Sequence, residues 1–363
     1  MIFYISIFIL TWLLYNKTIK SKGAFRNCFL GLTVMIPSLI ASFRDTVIGR
    51  DVELYVVPIW QNSVMSKSFV DLISNDVYGT EFIYLLLNYI VSRFSDSINV
   101  FLFFHQVVMM ALIVATAYKL RDKIKSGFVI MFYLLYLYNE SLSMMRQGLA
   151  ICFSVFASVY LYENKLKKAY SLIVLSILSH NSAVIMFLLH PLKMFSNHLR
   201  RKLFLLISII ISFAFIIYKF YQTILLYTMS IGVASVKYSM YLDQDGFTTH
   251  KIDLLFLASI ILMLFLFILK NNRDEVVFNQ VIIFTVVALA LTSLGGITEI
   301  ANRIAYYFIA PLFFLLPMVS KSKADNNRII VFTLSILLIR FVYLGITTGI
   351  ADTIPYHSKI LGI

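Results

Sequence analysis

Long apolar runs recur along the chain, at residues 2–15, 28–43, 99–118, 127–138, 147–162, 203–220, 252–269, 279–294, 304–319 and 329–346, and short basic or polar stretches separate them. Wound as an α-helix at 1.5 Å per residue, runs of this kind cover the roughly 30 Å of hydrocarbon in a bilayer. None alternates apolar with polar positions as a lipid-facing strand does. The pattern therefore predicts an all-α polytopic integral membrane protein. It has ten crossings in a single transmembrane domain spanning 1–363.

Two further segments break the pattern. Residues 81–94 are apolar enough to span, but a crossing there would move the next basic loop to the opposite side, so the segment reads as re-entrant or interfacial. Residues 169–192 are interrupted at their midpoint by Ser179, His180, Asn181 and Ser182 and have basic residues at both ends. The same parity argument predicts two half-helices meeting at a polar tip, which is tolerated at that depth only against protein or a wet cavity.

Charge assigns the sides. Loops 17–26, 119–125, 163–168, 193–202, 270–275 and 321–328 carry 20 Lys and Arg against 5 acids, while the rest of the chain holds 11 basic and 13 acidic residues. That asymmetry follows the positive-inside rule, so the basic set is expected to be cytoplasmic. It also accounts for the net charge of +13 without a nucleic-acid partner. The N-terminus is then external, with the first run as a span rather than a cleaved signal. Two large external loops follow, at about 44–97 and 221–251. Cys28 and Cys152 form no cluster that would indicate a metal site or a disulfide framework.

With 60% hydrophobic and 13% charged residues, the chain still places seven of its eighteen acids between Asp45 and Asp96. Arg44, Gly49, Arg50 and Asp51 lie at the start of that stretch. Guanidinium groups bind phosphates in a bidentate fashion, and a carboxylate can take a proton from a hydroxyl. The bland reading is an arginine that snorkels to the interface. Arg146 and Gln147 open a helix whose free amide groups favour an anion, against the alternative of a surface turn in which Glu140 pairs with Arg146. His180 is either a hydrogen-bonded core histidine or a base, and His105, without polar neighbours, is assigned to structure. Glu299, Asn302, Arg303 and Tyr307 sit at a late external turn, where a tyrosine could stack on a sugar. Arg340 falls within an apolar run and calls for a partner or a cavity. No soluble-enzyme signature such as a P-loop, G-x-S-x-G or H-E-x-x-H is present.

In order and spacing these residues resemble the EpsG-type, Wzy-like polymerases of bacterial surface polysaccharides. The matching positions are Arg44, Gly49, Asp51 and Tyr55; Glu81; Met145, Arg146, Gln147, Leu149 and Ala150; His180, Ser182 and Ala183; and Asn302, Arg303, Tyr307 and Phe308. RDTVIGRD carries one glycine where the family commonly has two, which leaves Arg44 and Arg50 as alternatives for a phosphate contact. The resemblance implies glycosyl transfer between undecaprenyl-diphosphate-linked repeat units at the periplasmic face of the bacterial inner membrane. Arg146 and Arg303 would take the diphosphate with Arg44 in support, and Asp51 or His180 would be the base. Arg50, Tyr55, Glu81, Gln147, Glu299 and Tyr307 would bind substrate. No cofactor, metal or nucleic acid is expected. The expected partners are lipid-linked glycans, the bilayer and a membrane chain-length regulator. The rival functions are a flippase of the same lipid-linked sugars, which would usually show two similar halves, and an O-antigen ligase.

Overall fold

The computed structural model describes residues 1–198, 223, 227, 251–268, 273–294 and 299–363, and most of these are helical, with no named strand among them. The expected crossing at 203–220 and nearly all of the expected loop at 221–251 lie outside the described residues. Six helices among the described residues are long and apolar enough to cross a membrane: Ile2–Lys20, Gly23–Phe43, Ile98–Lys119, Glu275–Leu294, Ile300–Met318 and Lys323–Thr347. The protein is an all-α polytopic membrane protein. Its chain gathers into two compact units, 1–184 with 330–363, and 185–329.

In the first unit, α1 (Ile2–Lys20) and α2 (Gly23–Phe43) form an antiparallel pair. The stretch expected as an external loop then folds into α3 (Val57–Met65) and α4 (Phe69–Ser74), and the segment 81–94, expected as re-entrant or interfacial, contains α5 (Phe82–Ser92). A side-chain cap starts α4, where the Ser68 hydroxyl accepts from the Asp71 N–H at 3.1 Å, and in the loop before α5 the Asp76 carboxylate accepts from the Tyr78 N–H at 3.3 Å. The approach to α3 is a π turn, Val52–Val56, closed by the Val57 N–H on the Val52 carbonyl. Pro58 follows directly and has no N–H to continue an ordinary ladder. Beneath these elements, Val52, Ile59, Trp60, Tyr84, Phe101 and Met145 join one buried apolar cluster. Arg93 ties α5 back to α3 by donating to the Ser63 carbonyl at 2.6 Å and the Ser66 carbonyl at 3.0 Å. At 11 residues α5 is about 16 Å long, well short of the hydrocarbon thickness.

Helix α6 (Ile98–Lys119) packs on α2 and on α9 (Met145–Tyr162), and α9 packs on α10 (Leu166–Ser179). Helix α7 (Gly127–Tyr133) runs through a π turn into α8 (Asn139–Ser143), so the turn expected over NESLSMMRQG is mostly helical. The change of direction falls on Met144 alone, at φ −77° and ψ 59°. The expected break at 179–182 is present. Helix α10 ends at Ser179, His180 is extended at φ −162° and ψ 123°, and a 3-10 segment, Asn181–Leu188, follows. Arg340 has the partners its position demanded: the Glu140 carboxylate at 3.7 Å, the Tyr136 carbonyl at 3.4 Å and the Tyr136 ring at 4.4 Å. Glu140, the alternative partner for Arg146, is thereby engaged elsewhere.

The second unit holds Leu189–His198, Lys251–Ile268, Glu275–Leu294 and Glu299–Ile309, with the helix of 275–294 packed against the other three. Asp274 caps that helix by accepting from the Val276 and Val277 N–H groups, both at 3.1 Å.

Candidate functional site

Three elements of the first unit bring Glu81, Arg146 and His180 together. Glu81 is the N-cap residue of α5, Arg146 is the second residue of α9, and His180 is the extended residue that ends α10. One carboxylate oxygen of Glu81, Oε2, accepts from Arg146 Nη1 at 2.9 Å. The other, Oε1, lies 2.8 Å from His180 Nδ1 and 3.3 Å from the Asn181 N–H. The Glu81 side chain is only 5% exposed, whereas Arg146 keeps 25% and His180 21%. The carboxylate is therefore buried beneath two cationic or donor groups that still reach the surface.

Burial by itself raises the Glu81 pKa. The His180 hydrogen bond and the Arg146 charge outweigh it and hold the group down at about 2. Glu81 is therefore ionised at neutral pH and acts as an acceptor only. A carboxylate facing Nδ1 selects the tautomer with the proton on Nδ1, which leaves the Nε2 lone pair free. Arg146 stands where the free amides at the start of an 18-residue helix add their partial positive charge to the guanidinium. Gln147, next in sequence, is buried.

Arg44 ends α2 and is 2% exposed. Its Nη2 contacts Met145 Sδ at 3.5 Å, one residue before Arg146. Its Nε and Nη1 have no hydrogen-bond partner among the described residues, and neither does the buried Tyr84 hydroxyl. Tyr84 stacks edge-on against His105 at 5.7 Å, which places His105 in the packing that sequence assigned to it. Arg50 differs from Arg44 in every respect: it is 65% exposed and paired with Asp352 at 2.9 Å. Asp51 follows, with its N–H on the Ser143 hydroxyl at 3.3 Å, so the Asp51 backbone rests on the end of α8. Gly49 makes that approach possible. Its φ is +94°, and a Cβ there would meet the Leu142 carbonyl oxygen at 2.8 Å.

The C-terminal segment holds this loop from the other side. The Asp45 N–H donates to the His357 carbonyl at 3.1 Å, the Lys359 N–H to Asp45 Oδ1 at 3.0 Å, and the Gly49 N–H to the Asp352 carbonyl at 3.0 Å. Sequence reasoning did not single out these partners. Tyr55 is 36% exposed and meets Tyr78 edge-on at 6.1 Å, which makes an aromatic pair beside the loop. Tyr78 also went unselected. Glu299 opens its helix in the second unit, which carries Arg303 and Tyr307 as well, and the Tyr307 ring is buried. Among the described residues no three His, Cys, Asp or Glu side chains converge as metal ligands would.

A family model described as the EpsG family matches residues 27–358. No curated protein and no solved structure matches the chain.

Proposed function

The chain belongs to the EpsG family, and from that membership together with the Glu81, Arg146 and His180 cluster we propose that it joins undecaprenyl-diphosphate-linked oligosaccharide repeat units into a polysaccharide. The transfer takes place at the periplasmic face of the bacterial inner membrane. The observation that carries this reading is the single buried carboxylate that orients a histidine and an arginine side by side.

In the proposed step, a hydroxyl oxygen of the acceptor unit attacks C1 of the donor sugar. The bond from C1 to the phosphate oxygen breaks, and undecaprenyl diphosphate leaves with the electron pair. His180 Nε2 takes the hydroxyl proton, since Nδ1 is committed to Glu81. Arg146 faces the negative charge that develops on the leaving diphosphate. Arg44, with two unpartnered buried N–H groups next to Met145, supplies further positive potential. Asp51 is the alternative base, and Tyr55 with Tyr78 offers a sugar platform.

Cells lacking the protein test the class of reaction. A polymerase loss leaves single repeat units on the final lipid acceptor, whereas loss of a flippase or a ligase leaves none. Arg146→Ala at normal protein level is expected to reproduce the single-unit product. Unchanged polymer length and yield would sink the assignment, and Arg303→Ala tests the sequence-based role of Arg303 in the same way.

A further inference from the structure

A groove with a cavity of about 330 Å³ opens between α9 and α10, away from the residues assigned to glycan transfer, and it is lined by Phe156, Tyr160, Lys167, Lys168, Ser171 and Leu172. Its walls divide by chemistry. Phe156, Tyr160 and Leu172 present apolar surface, while Lys167, Lys168 and Ser171 present two cations and a hydroxyl, all three exposed.

The surrounding charge is unbalanced. Lys119, Lys123 and Lys165 all converge on Glu163, at 2.9, 3.1 and 2.9 Å. One carboxylate is thus shared by three ammonium groups, and Arg121 and Lys125 stand on the adjoining loop with only Asp122 as a further acid. Among the described residues no carboxylate pairs with Lys167 or Lys168, and Lys168 lies 5.8 Å over the Tyr160 ring. A cationic rim above an apolar slot fits a ligand that is anionic at one end and hydrocarbon at the other. A free phosphate would leave Phe156 and Leu172 unused, and a zwitterionic headgroup would bring its own cation towards the lysines.

We infer that this groove binds an anionic glycerophospholipid, its phosphate between Lys167, Lys168 and Ser171 and an acyl chain along Phe156, Tyr160 and Leu172. The site is independent of the glycan-transfer reading. Each lysine near an anionic headgroup contributes about fivefold in affinity, so the pair sets a preference for anionic over zwitterionic lipid of about tenfold or more.

Native mass spectrometry of the purified full-length chain tests this with equimolar phosphatidylglycerol and phosphatidylcholine. Wild type is expected to retain phosphatidylglycerol preferentially. Lys167→Gln with Lys168→Gln is expected to abolish the preference, and Lys17→Gln with Lys20→Gln, in the last turn of α1, is expected to keep it. Equal retention of the two lipids by wild type overturns the proposal, as does a preference that survives in the Lys167 and Lys168 variant. Displacement of the bound lipid by inorganic phosphate alone overturns the acyl-chain half of it. If the double variant does not run as a single species on size exclusion, Lys168→Gln alone is measured and must lower the preference.

Discussion

Replacing Glu81 by Gln keeps the shape of the side chain and removes its charge. In the native site the carboxylate accepts from Arg146 at 2.9 Å and faces His180 Nδ1 at 2.8 Å, with 5% of its side chain exposed. Hydrogen bonds involving a charged partner are worth about 1.5–3 kcal/mol each. The same contacts draw the pKa down from 4.5 to about 2 against opposing burial, which corresponds to roughly 3 kcal/mol of preference for the ionised form. Gln can still accept from one partner, but its amide must then point N–H groups at the other. A net loss of about 2–3 kcal/mol follows, since Arg146 and His180 are partly solvated and recover some hydration. The pH dependence has a definite sign. The folded pKa lies below the unfolded value, so the stabilisation is complete above about pH 4.5 and is lost as pH falls towards 2. Thermal unfolding of the full-length chain in detergent is the assay. Glu81→Gln is expected to melt several degrees below wild type at pH 7, with the gap constant at higher pH and narrowing below pH 4.5. Equal melting at pH 7, or a gap that does not narrow in acid, would refute the reasoning.

Three further substitutions separate the roles of neighbouring groups. Arg340→Leu removes a guanidinium that is 1% exposed and stands 3.7 Å from the Glu140 carboxylate. It is expected to cost about 3–5 kcal/mol and to reduce the folded fraction on size exclusion, and adding Glu140→Gln should restore most of that loss. Gly49→Ala must leave a φ of +94° and move off the Leu142 carbonyl, a destabilisation above about 1 kcal/mol that also shifts the loop carrying Asp51. Lower melting together with reduced polymer yield is the expected readout. Arg50→Gln removes an ion pair whose two side chains are 65% and 51% exposed, so its effect on stability should stay under about 1 kcal/mol. Polymer production should persist. Loss of polymer at unchanged melting would transfer the phosphate role from Arg44 to Arg50.

Features that depend on one stretch of chain were legible in the sequence. Four consecutive polar residues in an apolar run marked the end of α10, because a helix in hydrocarbon cannot leave such groups unpartnered. The same logic required a partner for Arg340, and the structure supplies Glu140. The identity of partners was not legible. Glu81 and Arg146 are 65 positions apart and meet only because α5 and α9 each pack against both α6 and α10. Arg50 and Asp352 are 302 apart. Within 44–97 the stretch 81–94 reads as an inserted helix, but α3 and α4 are not legible, because hydrophobic periodicity is weak over six to nine residues. Their stability comes from the Ser68 cap on α4 and from the buried cluster beneath them, which contact geometry reveals and periodicity does not.

The central claim is that His180, held by Glu81, accepts the proton that accompanies glycan transfer. Purified wild type and His180→Ala, each reconstituted in liposomes with undecaprenyl-diphosphate-linked repeat units, provide the direct measurement. The account predicts a ladder of polymer with release of undecaprenyl diphosphate for wild type and only the starting unit for His180→Ala. An identical ladder from the variant at equal protein would contradict it.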